Sequence, residues 1–184
     1  LKDAVEKDCC HRAASVKEEI AFALQHEDLA GIFGKLLENG EVPLRVTHND
    51  TKLNNIMIDL ETGKGICVVD LDTVMPGLAM NDFGDAIRFG ASTALEDEKD
   101  LSKVSCDMEL YEIYVKGFLE SCGDKLNARE IEMLPMGAKV MTYECGIRFL
   151  TDYLEGDHYF KIDREDHNLD RCRTQFKLVA DMEQ

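Results

Sequence analysis

The fold is decided by one polar stretch, which reads His48-Asn49-Asp50-Thr51-Lys52-Leu53-Asn54-Asn55. It contains a His, an Asp two positions later and an Asn five positions after that Asp. A carboxylate can orient a hydroxyl group and accept its proton, and an amide oxygen can hold a divalent cation without adding negative charge. The spacing therefore predicts a catalytic loop in which Asp50 is the base, Asn55 is a metal ligand and His48 is a supporting residue.

A β-hairpin is predicted directly after this loop. Two short apolar segments, 56–58 and 66–69, flank a polar turn that contains a glycine. With this turn centred at residues 62–63, antiparallel pairing places Asn55 opposite Asp70. We therefore expect Asp70, at the end of the second strand, to be the second metal ligand.

A further carboxylate, Asp72, follows Asp70 on the same face of an extended chain and is predicted to assist. Two carboxylates without a cation repel each other, which a purely structural site avoids. The loop by itself also fits a hydrogen-bonded turn before a strand. Together, however, a catalytic Asp, a metal-binding Asn and a metal-binding Asp on the next hairpin are the parts of a kinase site that uses Mg²⁺ and ATP.

A second motif resembles a kinase metal site in sequence but is interpreted as part of a helix. Asp82-Phe83-Gly84 has the letters of the protein-kinase metal motif, but it follows Asn55 by 27 positions and lies outside the predicted hairpin. We interpret it as the start of a helix, with its Asp near the positive end of the helix dipole. Asp85 of this helix is predicted to brace the catalytic loop; the alternative is a solvated carboxylate at the helix end.

Apolar residues at helical spacing predict that most of the chain is helical. The first helices end at Gly40, Asn127 and Glu130 have capping-box spacing, and Pro135 is expected to break or kink its helix. We expect one α+β domain over residues 1–184, predominantly helical, with the small β-hairpin at the catalytic site. The helices predicted after the hairpin cover residues 81–90, 100–122, 128–155 and 166–182.

Some parts of a kinase ATP site have no counterpart in the sequence. There is no Gly-x-Gly-x-x-Gly segment, no P-loop and no strand with a Val-Ala-x-Lys pattern. The region before residue 42 is predicted to be helical instead. We therefore expect the N-terminal lobe, which would supply most of the ATP contacts, to be missing from these 184 residues. The isolated chain is expected to be inactive.

Composition limits the choice of partners. The chain has 21 basic and 37 acidic residues and a formal net charge of −16, which disfavours binding to nucleic acid. No apolar run is long enough for a membrane helix, and the first residues do not resemble a signal peptide. The seven cysteines include no Cys-x-x-Cys pair, which disfavours zinc and indicates reduced thiols in a cytoplasmic protein.

Four stretches resemble the aminoglycoside phosphotransferase and choline kinase family, which has a protein-kinase-like fold. The likeness runs from about residue 12 to the C-terminus and corresponds to the family's C-terminal lobe. Within the family it is greatest to the bacterial N-acetylhexosamine 1-kinases, because Asn49 and Asp72 replace glycines of the wider group. The stretches are Arg-Val-Thr-His-Asn-Asp-Thr-Lys-Leu-Asn-Asn (45–55), Val-Val-Asp-Leu-Asp-Thr-Val-Met-Pro-Gly (68–77), Asn-Asp-Phe-Gly-Asp-Ala-Ile-Arg-Phe-Gly (81–90) and Glu-Cys-Gly-Ile-Arg-Phe-Leu-Thr-Asp-Tyr-Leu-Glu-Gly-Asp-His-Tyr-Phe (144–160).

The resemblance implies transfer of the ATP γ-phosphate to the anomeric hydroxyl group of an N-acetylhexosamine. It implies that Asp50 is the base and that Asn55 and Asp70 are the metal ligands. It also implies that Phe89, Arg148 and Tyr159 line the sugar site. An aromatic face and a planar guanidinium suit a sugar ring. The alternatives are core packing for Phe89 and, for Arg148, an exposed salt-bridge ladder with Glu144 and Asp152.

Two other functions stay open at this point. A kinase of choline, homoserine or an aminoglycoside has the same catalytic loop; the absence of Trp disfavours choline, whose quaternary amine prefers an aromatic cage. A non-catalytic binding module is the third possibility. The presence of all three residues of the predicted catalytic set disfavours it.

Overall fold

The structure is a computed structural model that describes residues 1–184 and is mostly helical. Its internal contacts divide the chain into two compact units, each made of several segments. Whether these units form the single predicted domain stays a prediction. Unit 1 contains Leu1–Ile32, Ser92–Cys106 and Thr142–Gln184, and unit 2 contains Phe33–Ala91 and Asp107–Met141.

The chain forms eight α-helices and four short β-strands, with short 3₁₀ turns between them. The helices are α1 (Lys2–Lys7), α2 (Lys17–Gln25), α3 (Ile32–Glu38), α4 (Ala79–Gly90), α5 (Met108–Cys122), α6 (Ala128–Glu132), α7 (Leu134–Glu155) and α8 (His167–Met182). The strands are β1 (Arg45–Thr47), β2 (Ile56–Ile58), β3 (Gly65–Val68) and β4 (Met75–Gly77). This confirms the predominantly helical α+β class. No helix combines the length and apolar character that a membrane crossing requires.

Most of the predicted helices are present, and their limits follow local capping. The helix predicted over residues 100–122 begins later, at Met108, because the Asp107 side chain accepts hydrogen bonds from the N–H groups of Glu109 and Leu110 and caps it there. The predicted capping box is present, and the helical run predicted over residues 128–155 is interrupted at Met133. Gly40, with a φ of 71°, ends α3 as expected.

Unit 2 holds two separate antiparallel ladders, β1 with β4 and β2 with β3. The predicted hairpin is β2–β3, but its register is one residue from the prediction. Ile56 lies opposite Val68, and the N–H of Val69 donates to the carbonyl of Asn55 at 2.9 Å. Asn55 therefore lies opposite Val69, and the prediction that it faces Asp70 was wrong.

The turn and a β-bulge explain this register. The turn is closed by a hydrogen bond from the N–H of Asp59 to the carbonyl of Lys64, so it is centred earlier than predicted. Cys67 and Gly65 have partners on β2, whereas Ile66 between them has none. A residue inserted in one strand shifts every later pair, which turn spacing alone does not reveal.

The core of unit 2 is organised around α4. Its Phe83 is fully buried, with its ring centroid 5.7 Å from that of Tyr114 and 5.2 Å from that of Phe118 on α5. Asp82-Phe83-Gly84 is thus part of a helix, as predicted. Gly84 has no room for a side chain, because a Cβ there would lie 2.2 Å from the carbonyl oxygen of Gly137. The helix that follows the hairpin is therefore held tightly in this core.

Unit 1 has a separate core in which α2 and α8 share aromatic contacts. The rings of Phe22 and Phe176 stack with centroids 4.7 Å apart, and the hydroxyl group of Tyr143 donates to the carbonyl of Ala23 at 2.7 Å. Leu150 on α7 is completely buried. This packing supports the C-terminal half of α7, which carries Arg148 and is followed by Tyr159.

One buried ion pair fixes β1 in unit 2. Arg45 donates from Nε and Nη2 to the two carboxylate oxygens of Glu130 at 2.6 and 2.7 Å, and Glu130 is completely buried. The same carboxylate accepts a hydrogen bond from the N–H of Asn127 at 2.7 Å. The hydrogen bonds from Arg45 lower the pKa of Glu130, against the opposing effect of burial. Glu130 is therefore a buried anion that depends on Arg45.

We predict that Arg45→Met destabilises the protein by about 3 kcal/mol, because it leaves an uncompensated carboxylate in the core. The free energy of unfolding, measured by urea denaturation, checks this. Arg129→Met is the matched control: its ion pair with Glu41 is exposed, and its loss should cost less than about 1 kcal/mol. Equal effects of the two substitutions would contradict the prediction.

Candidate functional site

The catalytic loop begins where β1 ends, and a carboxylate on α4 holds its backbone. Asp82 Oδ2 accepts a hydrogen bond from the N–H of His48 at 2.8 Å, and Oδ1 accepts one from the N–H of Asn49 at 2.8 Å. The hydroxyl group of Thr51 donates to the carbonyl of Asp82. Three hydrogen bonds thus tie the loop to the first turn of a buried helix.

This arrangement corrects the prediction for Asp85. Its carboxylate accepts hydrogen bonds from Nε and Nη2 of Arg88 on the same helix, at 3.1 and 2.9 Å, and both side chains are buried. The residue that braces the loop is Asp82. The sequence carried a signal for this, because Asp82 is the acidic residue in the first turn of α4, directly after the strand that pairs with β1.

The turn at Asn49 has a left-handed backbone, with a φ of 64°. Glycine and asparagine are the residues that adopt this conformation most easily, which explains how Asn49 occupies a position where glycine is expected in the wider family. Its side-chain amide donates to the carbonyl of Thr73 at 3.0 Å. In return, the hydroxyl group of Thr73 donates to the carbonyl of His48 at 2.6 Å. The loop is therefore also tied to the segment after the hairpin.

Asp50, the predicted base, has two hydrogen-bond donors on one carboxylate oxygen. Lys52 Nζ and Asn55 Nδ2 each lie 2.8 Å from Oδ2. Partial burial alone would raise the pKa of Asp50, but these two hydrogen bonds and the charge of Lys52 outweigh it, and the pKa is lowered. The carboxylate is thus ionised at neutral pH, as a proton acceptor requires.

Lys52 is the one residue of this group that the sequence pattern did not single out. It lies two positions after Asp50 within the loop, and its ammonium group forms a partly buried ion pair with that carboxylate. The sequence did carry a signal for its role, because a lysine lies only two positions after the predicted base. Lys52 brings positive charge to a site that contains three carboxylates, those of Asp50, Asp70 and Asp72.

The predicted metal ligands come from the loop and from the end of the hairpin. Asn55 is buried, and its amide nitrogen donates to the backbone carbonyl of Asp50 at 2.9 Å as well as to its side chain. With the nitrogen engaged in this way, the amide oxygen points away from Asp50. Asp70 follows β3 with a left-handed backbone, φ 63° and ψ 55°. This conformation changes the direction of the chain directly after the shifted register.

Asp70 and Asp72 interact, but not through the extended chain that was predicted, because Asp70 has a left-handed backbone and Leu71–Thr73 form a 3₁₀ turn. Their side chains share a hydrogen bond, and this contact and the charge of Asp72 raise the pKa of Asp70; the charge of Asp50 acts in the same direction and that of Lys52 opposes it. The structure therefore brings the four charged groups into one electrostatic environment. Crowded carboxylates of this kind favour a divalent cation.

His48, the predicted supporting residue, links the loop to the end of the hairpin. Its Nε2 donates to the carbonyl of Val69 at 3.0 Å, immediately before Asp70. Its Nδ1 is buried without a hydrogen-bond partner. The imidazole ring thus positions the residue that precedes the predicted metal ligand.

The oxygen atoms near the end of the hairpin are of a type that suits Mg²⁺, but they do not form a complete metal site. Asn55, Asp70 and Asp72 carry the hard oxygen atoms that Mg²⁺ prefers. The structure contains no group of three or more His, Cys, Asp or Glu side chains that could hold a metal by themselves. A Mg²⁺ ion at this position would therefore need further ligands, such as the phosphates of a substrate.

The three predicted sugar-site residues lie in different units. Phe89 is half-buried on α4 of unit 2. Arg148 and Tyr159 lie together in unit 1: Nη2 of Arg148 is 3.3 Å from the Tyr159 hydroxyl oxygen, and its guanidinium carbon is 5.6 Å from the centre of the Tyr159 ring. Arg148 also has the expected ion pair with Glu144, at 3.7 Å. Arg148 thus contacts Tyr159 and also forms the predicted salt bridge with Glu144, whereas Asp152 holds the backbone of the following loop instead.

A loop held by Asp152 presents Tyr159. The buried carboxylate of Asp152 accepts hydrogen bonds from the N–H groups of His158, Tyr159 and Phe160, at 2.9, 2.8 and 3.0 Å. The Tyr159 side chain remains 73% exposed. An exposed aromatic ring on a fixed backbone can contact a ligand without first becoming ordered.

The sequence was compared with models of protein families. The APH family, described as a phosphotransferase enzyme family, matches residues 1–112, which is more than half of the chain. The chain belongs to this phosphotransferase family. The matched region contains the predicted catalytic loop, both strand pairs and α4, whereas Arg148, Asp152 and Tyr159 lie outside it.

We predict that Asp82→Ala releases the catalytic loop, because two backbone N–H groups lose their acceptor. The protein should lose about 1–3 kcal/mol of stability, and the amides of His48 and Asn49 should exchange their hydrogens faster. Urea denaturation and hydrogen-exchange mass spectrometry measure these effects. Asp59→Ala is the control, since Asp59 accepts from two N–H groups in the exposed hairpin turn. Unchanged exchange at His48 and Asn49 in Asp82→Ala would contradict this role.

We also predict that Lys52→Met raises the pKa of Asp50, because the carboxylate loses a hydrogen bond and an adjacent positive charge. Asp50 should then become protonated at a higher pH than in the unaltered protein. A ¹³C NMR titration of labelled Asp carboxyl groups measures this shift, with Asp50→Asn identifying the signal. Lys64→Met, on the exposed turn, should leave the titration unchanged.

Proposed function

We propose that this chain is the C-terminal catalytic lobe of an ATP- and Mg²⁺-dependent small-molecule kinase, and that its acceptor is a sugar hydroxyl group, at the anomeric position of an N-acetylhexosamine. The observation that carries the proposal is the environment of Asp50. It is an ionised carboxylate fixed by Lys52 and Asn55, in the same loop as one predicted metal ligand. Membership of the APH phosphotransferase family supports the reaction class.

The proposed reaction uses Asp50 as a general base. Asp50 orients the acceptor hydroxyl group and takes its proton as the oxygen attacks the γ-phosphorus; the bond from that phosphorus to the bridging oxygen of ATP breaks, and ADP leaves. The low pKa of Asp50 keeps the carboxylate ionised before the reaction. A positioned general base of this type contributes roughly 10²–10⁴-fold to the rate.

Lys52 and Asn55 hold the base in a single orientation. Because both donors contact the same oxygen of Asp50, the other carboxylate oxygen is the one that can receive the substrate hydroxyl group. The ammonium group of Lys52 also places a positive charge near the position where charge moves during phosphoryl transfer. Positioning and charge stabilisation account for most of the catalysis in this class of reaction.

Asn55, Asp70 and Asp72 are proposed to bind Mg²⁺ together with the phosphates of ATP. The bound ion would neutralise phosphate charge and hold the γ-phosphate in line with the acceptor oxygen. The raised pKa of Asp70 supports this role, since an Asp70 beside Asp72 gains from a cation that offsets their repulsion.

The acceptor assignment is supported by Arg148 and Tyr159, an exposed aromatic ring and a planar cation in contact on a fixed loop. Such a pair can stack on a sugar ring and donate hydrogen bonds to its hydroxyl groups. Phe89, half-buried on α4, is proposed as a third contact. Choline, homoserine and aminoglycoside acceptors would use the same catalytic loop, so the acceptor has to be determined by experiment.

The proposed partner of this lobe is an N-terminal ATP-binding lobe. The β2–β3 hairpin beside the site is exposed on both faces, as its burial pattern shows. Large exposed apolar patches usually mark a surface that another protein segment covers. The exposed apolar residues of this region are Leu44, Val46, Leu53, Ile56, Met57, Ile58, Leu60, Ile66, Val68, Leu71, Val74 and Met75.

The first test is ³¹P NMR of the full-length protein that contains these residues, with Mg²⁺ and ATP. N-acetylglucosamine, N-acetylgalactosamine, choline, homoserine and an aminoglycoside are offered separately. We predict a new sugar 1-phosphate signal with an N-acetylhexosamine and a loss of at least about 100-fold in rate for Asp50→Asn, because the general base is removed. Asp59→Asn, in the exposed turn of the same hairpin, is the control and should retain the rate.

Each other result would change the proposal in a definite way. Phosphate on choline, homoserine or an aminoglycoside would keep the kinase site and refute the sugar assignment. An unchanged rate in Asp50→Asn would refute the role of Asp50. No transfer to any acceptor, combined with ATP binding that does not depend on Mg²⁺, would favour a binding module.

A further inference from the structure

Two adjacent thiols, Cys9 and Cys10, form a feature that the proposed function does not use. They follow the end of α1 in unit 1, and both are exposed. Their sulfur atoms lie 3.8 Å apart. Two nucleophilic sulfurs at this separation, both open to solvent, can react with each other once one of them is oxidised.

The backbone around the pair is fixed on both sides. Asp8 Oδ1 accepts hydrogen bonds from the N–H groups of Arg12 and Ala13, each at 2.9 Å, so the carboxylate closes a turn around the two cysteines. Asp8 and His11, which flank the pair, both have left-handed backbones, with φ of 37° and 56°. The side chain of Arg12 donates to the carbonyl of Tyr153 at 2.7 Å. The thiols are therefore exposed on a rigid turn, which keeps the sulfurs close together.

We propose that Cys9 and Cys10 are a reversible oxidation site, at which a peroxide converts the two thiols into an intramolecular disulfide. In the first step one thiol loses two electrons to the peroxide, whose O–O bond breaks, and forms a sulfenic acid with release of water or an alcohol. In the second step the neighbouring thiol attacks that sulfur, the S–O bond breaks, and a second water leaves as the S–S bond forms. Two thiols are oxidised and one peroxide is reduced.

The closed form is expected to be easily reduced. Adjacent Cα atoms lie about 3.8 Å apart, below the separation of roughly 4.4–6.8 Å that most disulfides have, and such a mismatch strains the bond. Strained, exposed disulfides have more oxidising potentials and belong to the labile or regulatory class. A dithiol reagent should therefore restore the thiols readily.

Other cysteines of the chain lack this combination of features. Cys172 is buried, which makes its thiol inaccessible to a peroxide. Cys67 is exposed on β3, and its thiol donates to the carbonyl of Val68. Cys67 is thus the internal control, an exposed thiol in a tryptic peptide that contains no second cysteine.

Oxidation should also affect the loop that carries Tyr159. The Cys10 sulfur lies against Gly156, since a Cβ placed there would be 3.1 Å from that sulfur, and Cys9 contacts the carbonyl of Leu154 at 3.5 Å. An S–S bond is about 2.05 Å long, so closing it draws the sulfurs together from 3.8 Å and away from at least one of these contacts. The chain between Leu154 and Tyr159 therefore loses support when the disulfide forms.

The test is peptide mass spectrometry of the full-length protein after treatment with a stoichiometric amount of hydrogen peroxide, followed by alkylation of free thiols and trypsin digestion. Cleavage after Lys7 and Arg12 places both cysteines in one peptide. We expect this peptide to lose two hydrogens and take up no alkyl group, and to take up two alkyl groups after reduction with dithiothreitol. Sulfinic acids, singly oxidised thiols or intermolecular disulfides at Cys9 and Cys10 in place of that product would overturn the proposal.

Two controls separate the disulfide from general oxidation. Cys9→Ser and Cys10→Ser should each abolish the closed product, while Cys67→Ser should leave it unchanged.

Hydrogen exchange of the oxidised protein is expected to be faster at the amides of His158 and Tyr159 than in the reduced protein. Equal exchange in the two forms would refute the coupling to this loop. None of these readouts depends on the kinase reaction, so their outcome is distinct from that of the proposed function.

Discussion

The candidate site depends on the contact between one carboxylate and two backbone amides. Asp82 lies on α4 directly before Phe83, which is completely buried. The two carboxylate oxygens of Asp82 therefore have fixed positions. They accept the N–H groups of His48 and Asn49 and thereby set the direction in which the chain enters the loop. Asp50 is the next residue, so this contact sets the direction from which the predicted base enters the site.

The charged side chains of the site form two pairs, Asp50 with the oppositely charged Lys52 and Asp70 with the like-charged Asp72. Asp50 is stabilised as an anion by Lys52, whereas Asp70 is destabilised as an anion by Asp72. The first environment keeps Asp50 ionised at neutral pH, and a carboxylate that takes up a cation benefits from the second. Two neighbouring aspartates therefore have different electrostatic properties because their partners differ, as in other acid–base sites.

Several features were predictable because they depend on residues close together in sequence. The loop spacing from His48 to Asn55, the hairpin, the capping box at Asn127 and the helical nature of Asp82-Phe83-Gly84 are all local patterns, and the structure has each of them. Local hydrogen bonding and hydrophobic periodicity favour the same conformation in the folded protein as in a short segment.

Other features were decided only by the tertiary structure. The hairpin turn is centred earlier than predicted and the bulge at Ile66 moves the register back by one residue, so that Asn55 faces Val69. Packing of α4 made Asp82 the residue that holds the loop. The sequence alone determined which residue types the site contains and the order in which they occur. The three-dimensional packing determined which carboxylate meets which donor, because a shift of one residue in a strand or one position on a helix redirects a side chain at little local cost.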